Sequence, residues 1–232
     1  MWISGGFLYP GTTVDLPPAF TLYGDGRVIY TIERPLANGG VRHELHQAQL
    51  DEEHVAALLS FALDQGALAT ARESYTDVPI ADATTTNFEI HAAGVDKTVA
   101  VYALGDFEEP GPETNARAAF KTLAEALHGF AAEVSAGNAS DLGPYAPDAY
   151  RVTLFPDDLG ELQPTAEWPW EDLEPTDFEP DNSGFRIAIL DAEQGSRAAE
   201  LPVGDLGDPV VIGPDEGLYL VRARALLPDE VP

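Results

Sequence analysis

Residues 20–33, Phe-Thr-Leu-Tyr-Gly-Asp-Gly-Arg-Val-Ile-Tyr-Thr-Ile-Glu, set two runs rich in β-branched and aromatic side chains on either side of Gly24-Asp25-Gly26. Such side chains suit the pleated strand. Gly and Asp tolerate the positive φ that a tight hairpin turn needs. In the second run Val28, Tyr30 and Ile32 alternate, which puts them on one face. Residues 19–23 and 27–33 therefore predict an antiparallel pair. Asn38-Gly39-Gly40 supplies another turn, and Val41–Gln49 reads as a third strand with Val41, His43 and Leu45 on one side.

Downstream of these strands, Asp51 is a good helix N-cap. Glu52 and Glu53 suit the positive helix start, and Val55, Leu58, Leu59 and Ala62 recur at helical spacing up to Gly66. Thr84–Ala92, with Thr86, Phe88 and Ile90 alternating, and 97–104, with Val99 and Val101 alternating, predict a second hairpin across Gly94. After Pro110-Gly111-Pro112, the residues Ala116, Phe120, Leu123, Leu127, Phe130 and Val134 predict one helix to about Gly137. Residues 1–137 thus read β-β-β-α-β-β-α. The fold class is α+β, an antiparallel sandwich of five strands covered by two helices. Residues 138–149 read as a linker by composition. Residues 150–232 form an acidic, β-rich and loop-rich C-terminal segment, with candidate strands at 150–155, 185–190, 209–212 and Leu218–Ala225 and no helical period.

A chain of 232 residues, 44% hydrophobic, can fill a substantial core. Its 40 acids against 12 bases leave −28, with 19 acids and 7 bases in residues 1–140 and 21 acids and 5 bases in 141–232. That surface repels phosphate backbones and anionic lipid heads, which argues against nucleic acid and against direct binding to an anionic membrane. Cationic partners and metal ions stay open, and so does adaptation to salt, since screening relieves self-repulsion. With no cysteine there is no disulfide and no thiolate chemistry. No apolar run reaches the length of about 20 residues a membrane helix needs. Residues 1–7 lack the basic start and apolar stretch of a signal peptide, and a Met set directly on Trp2-Ile3 reads as a trimmed start.

The run 20–29, the Asp51-Glu52-Glu53 helix opening, and Tyr75 and Asp82 ahead of Thr84-Thr85-Thr86 together resemble uncharacterised bacterial envelope lipoprotein domains, actinobacterial ones in particular, with a GDGRVIY hairpin. The resemblance covers about residues 16–135, and the ending Leu226-Leu227-Pro228-Asp229-Glu230 is similar to tails of these proteins. It implies an extracytoplasmic location in the cell envelope, or secretion, and an α+β scaffold. It carries no activity, catalytic residue or ligand.

Several groups invite chemistry. His43 and His46 lie on opposite strand faces and cannot chelate together. Glu44 with His46 and Glu89 with His91 do share faces, and adjacent strands would bring the pairs together as a zinc site. Asp25 and Asp82 read as turn residues that also offer a carboxylate. Residues 152–185 hold ten acids and no base, with Trp168-Pro169-Trp170 and Pro164, Pro175 and Pro180, the pattern of a long extended excursion. Asp157, Asp158 and Asp181 offer oxygen ligands to calcium, although the ordered calcium loop is missing. Trp168 and Trp170, with Asp172, Asp177 and Asp181, form a candidate contact surface; the indoles either present an exposed platform or pin the loop. No hydrolase nucleophile motif, Walker loop or dinucleotide fingerprint is present. The expectation is a non-enzymatic extracytoplasmic domain that binds a protein or envelope component, without an obligatory cofactor. The alternative is a small hydrolase or inhibitor-like module whose site is assembled from dispersed residues.

Overall fold

The computed structural model describes residues 1–6, 16–35, 41–106, 111–157, 160, 162–182, 184–203 and 208–231. It is α+β, with mostly antiparallel sheets. In chain order, β1 (Trp2–Gly5), β2 (Phe20–Leu22), β3 (Arg27–Pro35) and β4 (Val41–Gln49) precede α1 (Glu52–Ser60), which runs on into a π-helical turn over Phe61–Gln65. β5 (Ser74–Tyr75), β6 (Thr84–Ala92) and β7 (Val95–Tyr102) lead to α2 (Thr114–His128), α3 (Phe130–Ala136) and β8 (Ser140–Pro144). Then come β9 (Ala149–Pro156), β10 (Ala166–Glu167), a 3-10 turn at Pro175–Asp177, β11 (Glu179–Pro180), β12 (Arg186–Asp191), α4 (Ala192–Ala199), β13 (Val210–Ile212) and β14 (Leu218–Ala225). The chain divides into two compact units, Met1–Ile32 with Glu44–Tyr145, and Glu33–His43 with Ala146–Pro232. None of the described helices is long and apolar enough to cross a membrane.

In the first unit the Gly24-Asp25-Gly26 turn closes as its composition demands. The Tyr23 N–H donates to Arg27 O, the Gly26 N–H donates to Tyr23 O, and Asp25 Oδ1 accepts from the Arg27 amide at 3.0 Å. Gly26 sits at φ +83°, and a Cβ there would lie 2.4 Å from Leu50 O. Only glycine meets both demands. Asp51 caps α1 by accepting from the His54 amide at 2.9 Å.

The five expected strands form but do not share one sheet. β2 and β3 join β4 and β8 in the order β2-β3-β4-β8, while β6 and β7 belong to a separate sheet, β1-β6-β7-β5. The added strands are short: β1 lies antiparallel to β6, β5 lies parallel to β7, and β8, inside the stretch expected as a linker, pairs with β4. Two to five residues of mixed polarity carry too little alternation to be read as strands.

One hydrophobic core joins these layers. It takes Phe20, Val28 and Tyr30 from one sheet, Phe88, Ile90, Val99 and Val101 from the other, and Phe120, Leu123, Leu127 and Phe130 from the helices. The expected single helix breaks at Gly129. The ring of Phe120 in α2 lies 4.8 Å from Tyr75 and 5.8 Å from Phe88, whereas that of Phe130 in α3 lies 5.1 Å from Phe20 and 5.3 Å from Tyr30. The break lets consecutive helices serve different sheets. Phe120 meets Tyr75, and Phe130 meets Phe20 and Tyr30, edge-on, and each of these three pairs adds about 0.5–1.5 kcal/mol beyond the area it buries.

In the second unit a six-stranded sheet, β10-β13-β14-β9-β12-β11, carries Val152, Leu154, Leu190, Val211 and Val221 into a core shared with Trp170, Phe178 and Ala198. α4 lies in the segment read as lacking a helical period; Gly195 sits at its centre, and glycine is a poor helix former. The tertiary reason is contact: a Cβ on Gly195 would fall 2.4 Å from the Tyr150 ring. Asp191 caps this helix, accepting from the Gln194 amide at 2.9 Å.

Candidate functional site

Of the residues expected to form a contact surface, Asp172 and Asp177 are exposed, but the two indoles do not stand out as a platform. Trp170 is 3% exposed and donates its indole N–H to Gln194 O at 2.8 Å. Trp168 is half-buried, donates to Leu173 O at 2.7 Å, and stacks edge-on to Trp170 with centroids 4.9 Å apart. The indoles pin the acidic excursion into the core instead of forming a platform, because each buries a large apolar body once its N–H has a carbonyl.

The acids beside them close loops. Asp157 accepts from the amides of Gly160 at 3.0 Å and Leu162 at 2.8 Å. Asp177 accepts from the Glu174 amide at 2.7 Å, and Asp181 from Phe185 at 2.9 Å. Asp172 takes a side-chain hydrogen bond from Gln194 at 3.3 Å. Asp158 lies outside the described residues. Among the described residues no group of three His, Asp or Glu side chains is arranged to hold a metal ion.

The proposed meeting of Glu44-His46 with Glu89-His91 also fails, since β4 and β6 belong to different sheets. His91 instead bonds Glu89 at 2.9 Å through Nε2 and Asp96 at 2.7 Å through Nδ1. These two carboxylates, Glu89 first, push the imidazole pKa above its ordinary value.

A concavity does exist where no motif marks the chain. A groove of about 610 Å³ runs along α2 in the first unit, between that helix, the 77–79 loop and the turn after β7. Its size falls within the range of about 300–1,000 Å³ usual for ligand sites. Val78, Pro79, Leu104, Pro112 and Ala118 give it apolar walls.

At one end lies a buried charge network. Glu113, 7% exposed, accepts from Arg72 Nη2 at 2.6 Å through Oε1, and through Oε2 from Arg117 Nη1 at 3.4 Å and the Asp77 amide at 3.3 Å. Arg117, 9% exposed, also donates to Tyr75 O at 3.4 Å, to Ala103 O at 3.1 Å and to Tyr102 O. The guanidinium thus ties the first turn of α2 to β5 and to the end of β7. Arg72 lies over the Tyr75 ring at 4.6 Å, and its hydrogen bond to Glu113 raises its pKa further.

The polar lining is otherwise largely committed. Thr114 Oγ1 donates to Gly111 O at 2.9 Å, and Thr122 Oγ1 to Ala118 O at 3.0 Å. Lys121 has an interaction of its own. Comparison with protein-family models, with curated proteins and with solved structures finds no match. The groove is thus the feature of the molecule that bears on function.

One signal for it was present in the sequence: Glu113 and Arg117 stand four apart across a helix start. What could not be read is that Arg72, 41 residues upstream of Glu113, joins them.

Proposed function

We propose that this protein is a non-enzymatic binding domain of the extracytoplasmic space, and that it holds its partner in the groove along α2. The observation that carries this reading is that Glu113, Arg117, Thr114 and Thr122 are held by the protein's own backbone and side chains. A hydrolytic site needs a nucleophile or base within reach of a substrate atom, with its partner oriented for proton transfer. A groove with apolar walls and committed polar groups instead suits recognition. The extracytoplasmic placement rests on the resemblance of the GDGRVIY hairpin region. Fractionation of cells making the natural full-length protein tests it, and recovery from the cytosol alone would refute it.

The groove is tested by selecting a random-peptide phage library on the wild-type chain and on Ala118→Trp, which fills the groove from an exposed position. Peptides enriched by the wild type and lost on the variant are expected. Peptides that bind both equally, or turnover of chromogenic ester, peptide or glycoside substrates by the wild type, overturn the proposal.

A further inference from the structure

Resting on the groove as a binding site, we infer that its occupant is an extended basic peptide segment, with cationic side chains seated at the groove's two ends. The N-terminus of α2, with Arg72 and Arg117 beside it, would by itself attract an anion. That role is filled from within: the buried Glu113 carboxylate already lies against both guanidinium groups. A phosphate or carboxylate ligand arriving there meets a carboxylate in place of a vacancy.

What the lining leaves over is acidic. Among the described residues, the carboxylates of Asp77 and Glu125 have no side-chain partner, whereas the charged groups Glu113, Arg117 and Lys121 are all engaged. Asp77 is fixed beside the start of α2, its amide 3.3 Å from Glu113 Oε2. Glu125 stands eleven residues beyond Thr114 on the same helix. At a rise of 1.5 Å per residue that span is about 16 Å. An extended chain advancing roughly 3.3 Å per residue covers it in about five steps, and the end residues of a pentapeptide, about 13 Å apart along the backbone, reach both acids through their long side chains. Between the two acids the apolar walls, Val78 and Leu104 among them, accept the intervening small or branched side chains. A protein of net charge −28 also draws cationic segments toward itself before contact.

The test is a titration of the isotope-labelled full chain, followed by amide NMR, with three pentapeptides: Lys-Ala-Val-Ala-Lys, Gln-Ala-Val-Ala-Gln and Glu-Ala-Val-Ala-Glu. It is run at low ionic strength and repeated on Asp77→Asn, Glu125→Gln and the double variant. Both positions are exposed, so the fold persists. The basic peptide is expected to bind tightest and to shift the amides of Val78, Leu104, Ala118 and Thr122. Each single variant should raise its Kd up to about fivefold, the range of one exposed ion pair, and the double variant more than either.

If the neutral or acidic peptide shifts the same amides at equal or lower Kd, the cationic class is wrong and the groove remains a site. If no peptide perturbs the groove amides, both the inference and the reading under it fall. If the basic peptide shifts amides spread over the surface and the double variant leaves its Kd unchanged, the attraction is to net charge and the inference is refuted.

Discussion

Arg117→Ala is the sharpest test of the buried network that fixes the groove. Arg117 is the shared donor to Glu113 and to the carbonyls of Tyr75, Tyr102 and Ala103. Removing one member of a buried charge pair costs about 3–5 kcal/mol, most of it from the group left behind. Here Glu113 keeps Arg72 at 2.6 Å and the Asp77 amide, so the lower end applies, about 3 kcal/mol. The readout must report on the first unit. Of the three tryptophans, Trp168 and Trp170 lie in the second, so intrinsic fluorescence follows the wrong unit. Native-state hydrogen exchange at the amides of Phe88, Val99 and Val101, all within the first core, reads the right one. Protection there is expected to fall by about two orders of magnitude, since each 1.4 kcal/mol is tenfold. In a double-mutant cycle with Glu113→Gln the combined loss should be smaller than the sum of the single losses. A loss below about 1 kcal/mol, or strict additivity, would refute the claim that this network anchors α2.

Other expectations are independent of it. Gly26→Ala should destabilise by at least about 2 kcal/mol in urea unfolding, because it combines a positive φ with a backbone clash, while Gly24→Ala, with open space around it, should stay within about 0.5 kcal/mol; equal effects would sink the turn assignment. Trp170→Ala should cost about 3–5 kcal/mol as a core truncation, and a nearly neutral result would return the indole to the surface. His91, raised by Glu89 and Asp96, should titrate above its ordinary value of 6.5 by NMR. Its ion pairs then contribute fully below the unfolded pKa and fade as pH rises through the folded one, a pH dependence that His91→Gln should abolish; a midpoint at or below 6.5 contradicts the geometry. Millimolar calcium should raise the unfolding midpoint no more than sodium chloride at matched ionic strength, because Asp157, Asp177 and Asp181 serve backbone amides; a calcium-specific rise would reveal a site.

The local chemistry of many elements was legible in the chain itself. Alternation of Val28, Tyr30 and Ile32 and of Thr86, Phe88 and Ile90, the Gly-Asp-Gly turn and the Asp51 cap each depend on neighbours within a few residues, and these elements lie where their patterns put them, although Ile29 between the first set is buried as well. The α+β class follows from them. Tertiary structure decided what those elements were joined to. The split into two four-stranded sheets turns on β1, β5 and β8, too short to carry a period, and α4 depends on a glycine tolerated only because Tyr150 fills the space beside it.

The same division governs function. Counting acids located the dense charge but not its use, since whether Asp157 binds an ion or closes a loop depends on which amides come within 3 Å of it. The composition of Trp168-Pro169-Trp170 permitted either a platform or a pin, and burial decided for the pin. The groove along α2 arises from Arg72, Asp77, Glu113 and Arg117 meeting across a loop, a strand end and a helix start. Single residues from separate stretches leave no period and no spacing to read. Only the folded chain brings them together.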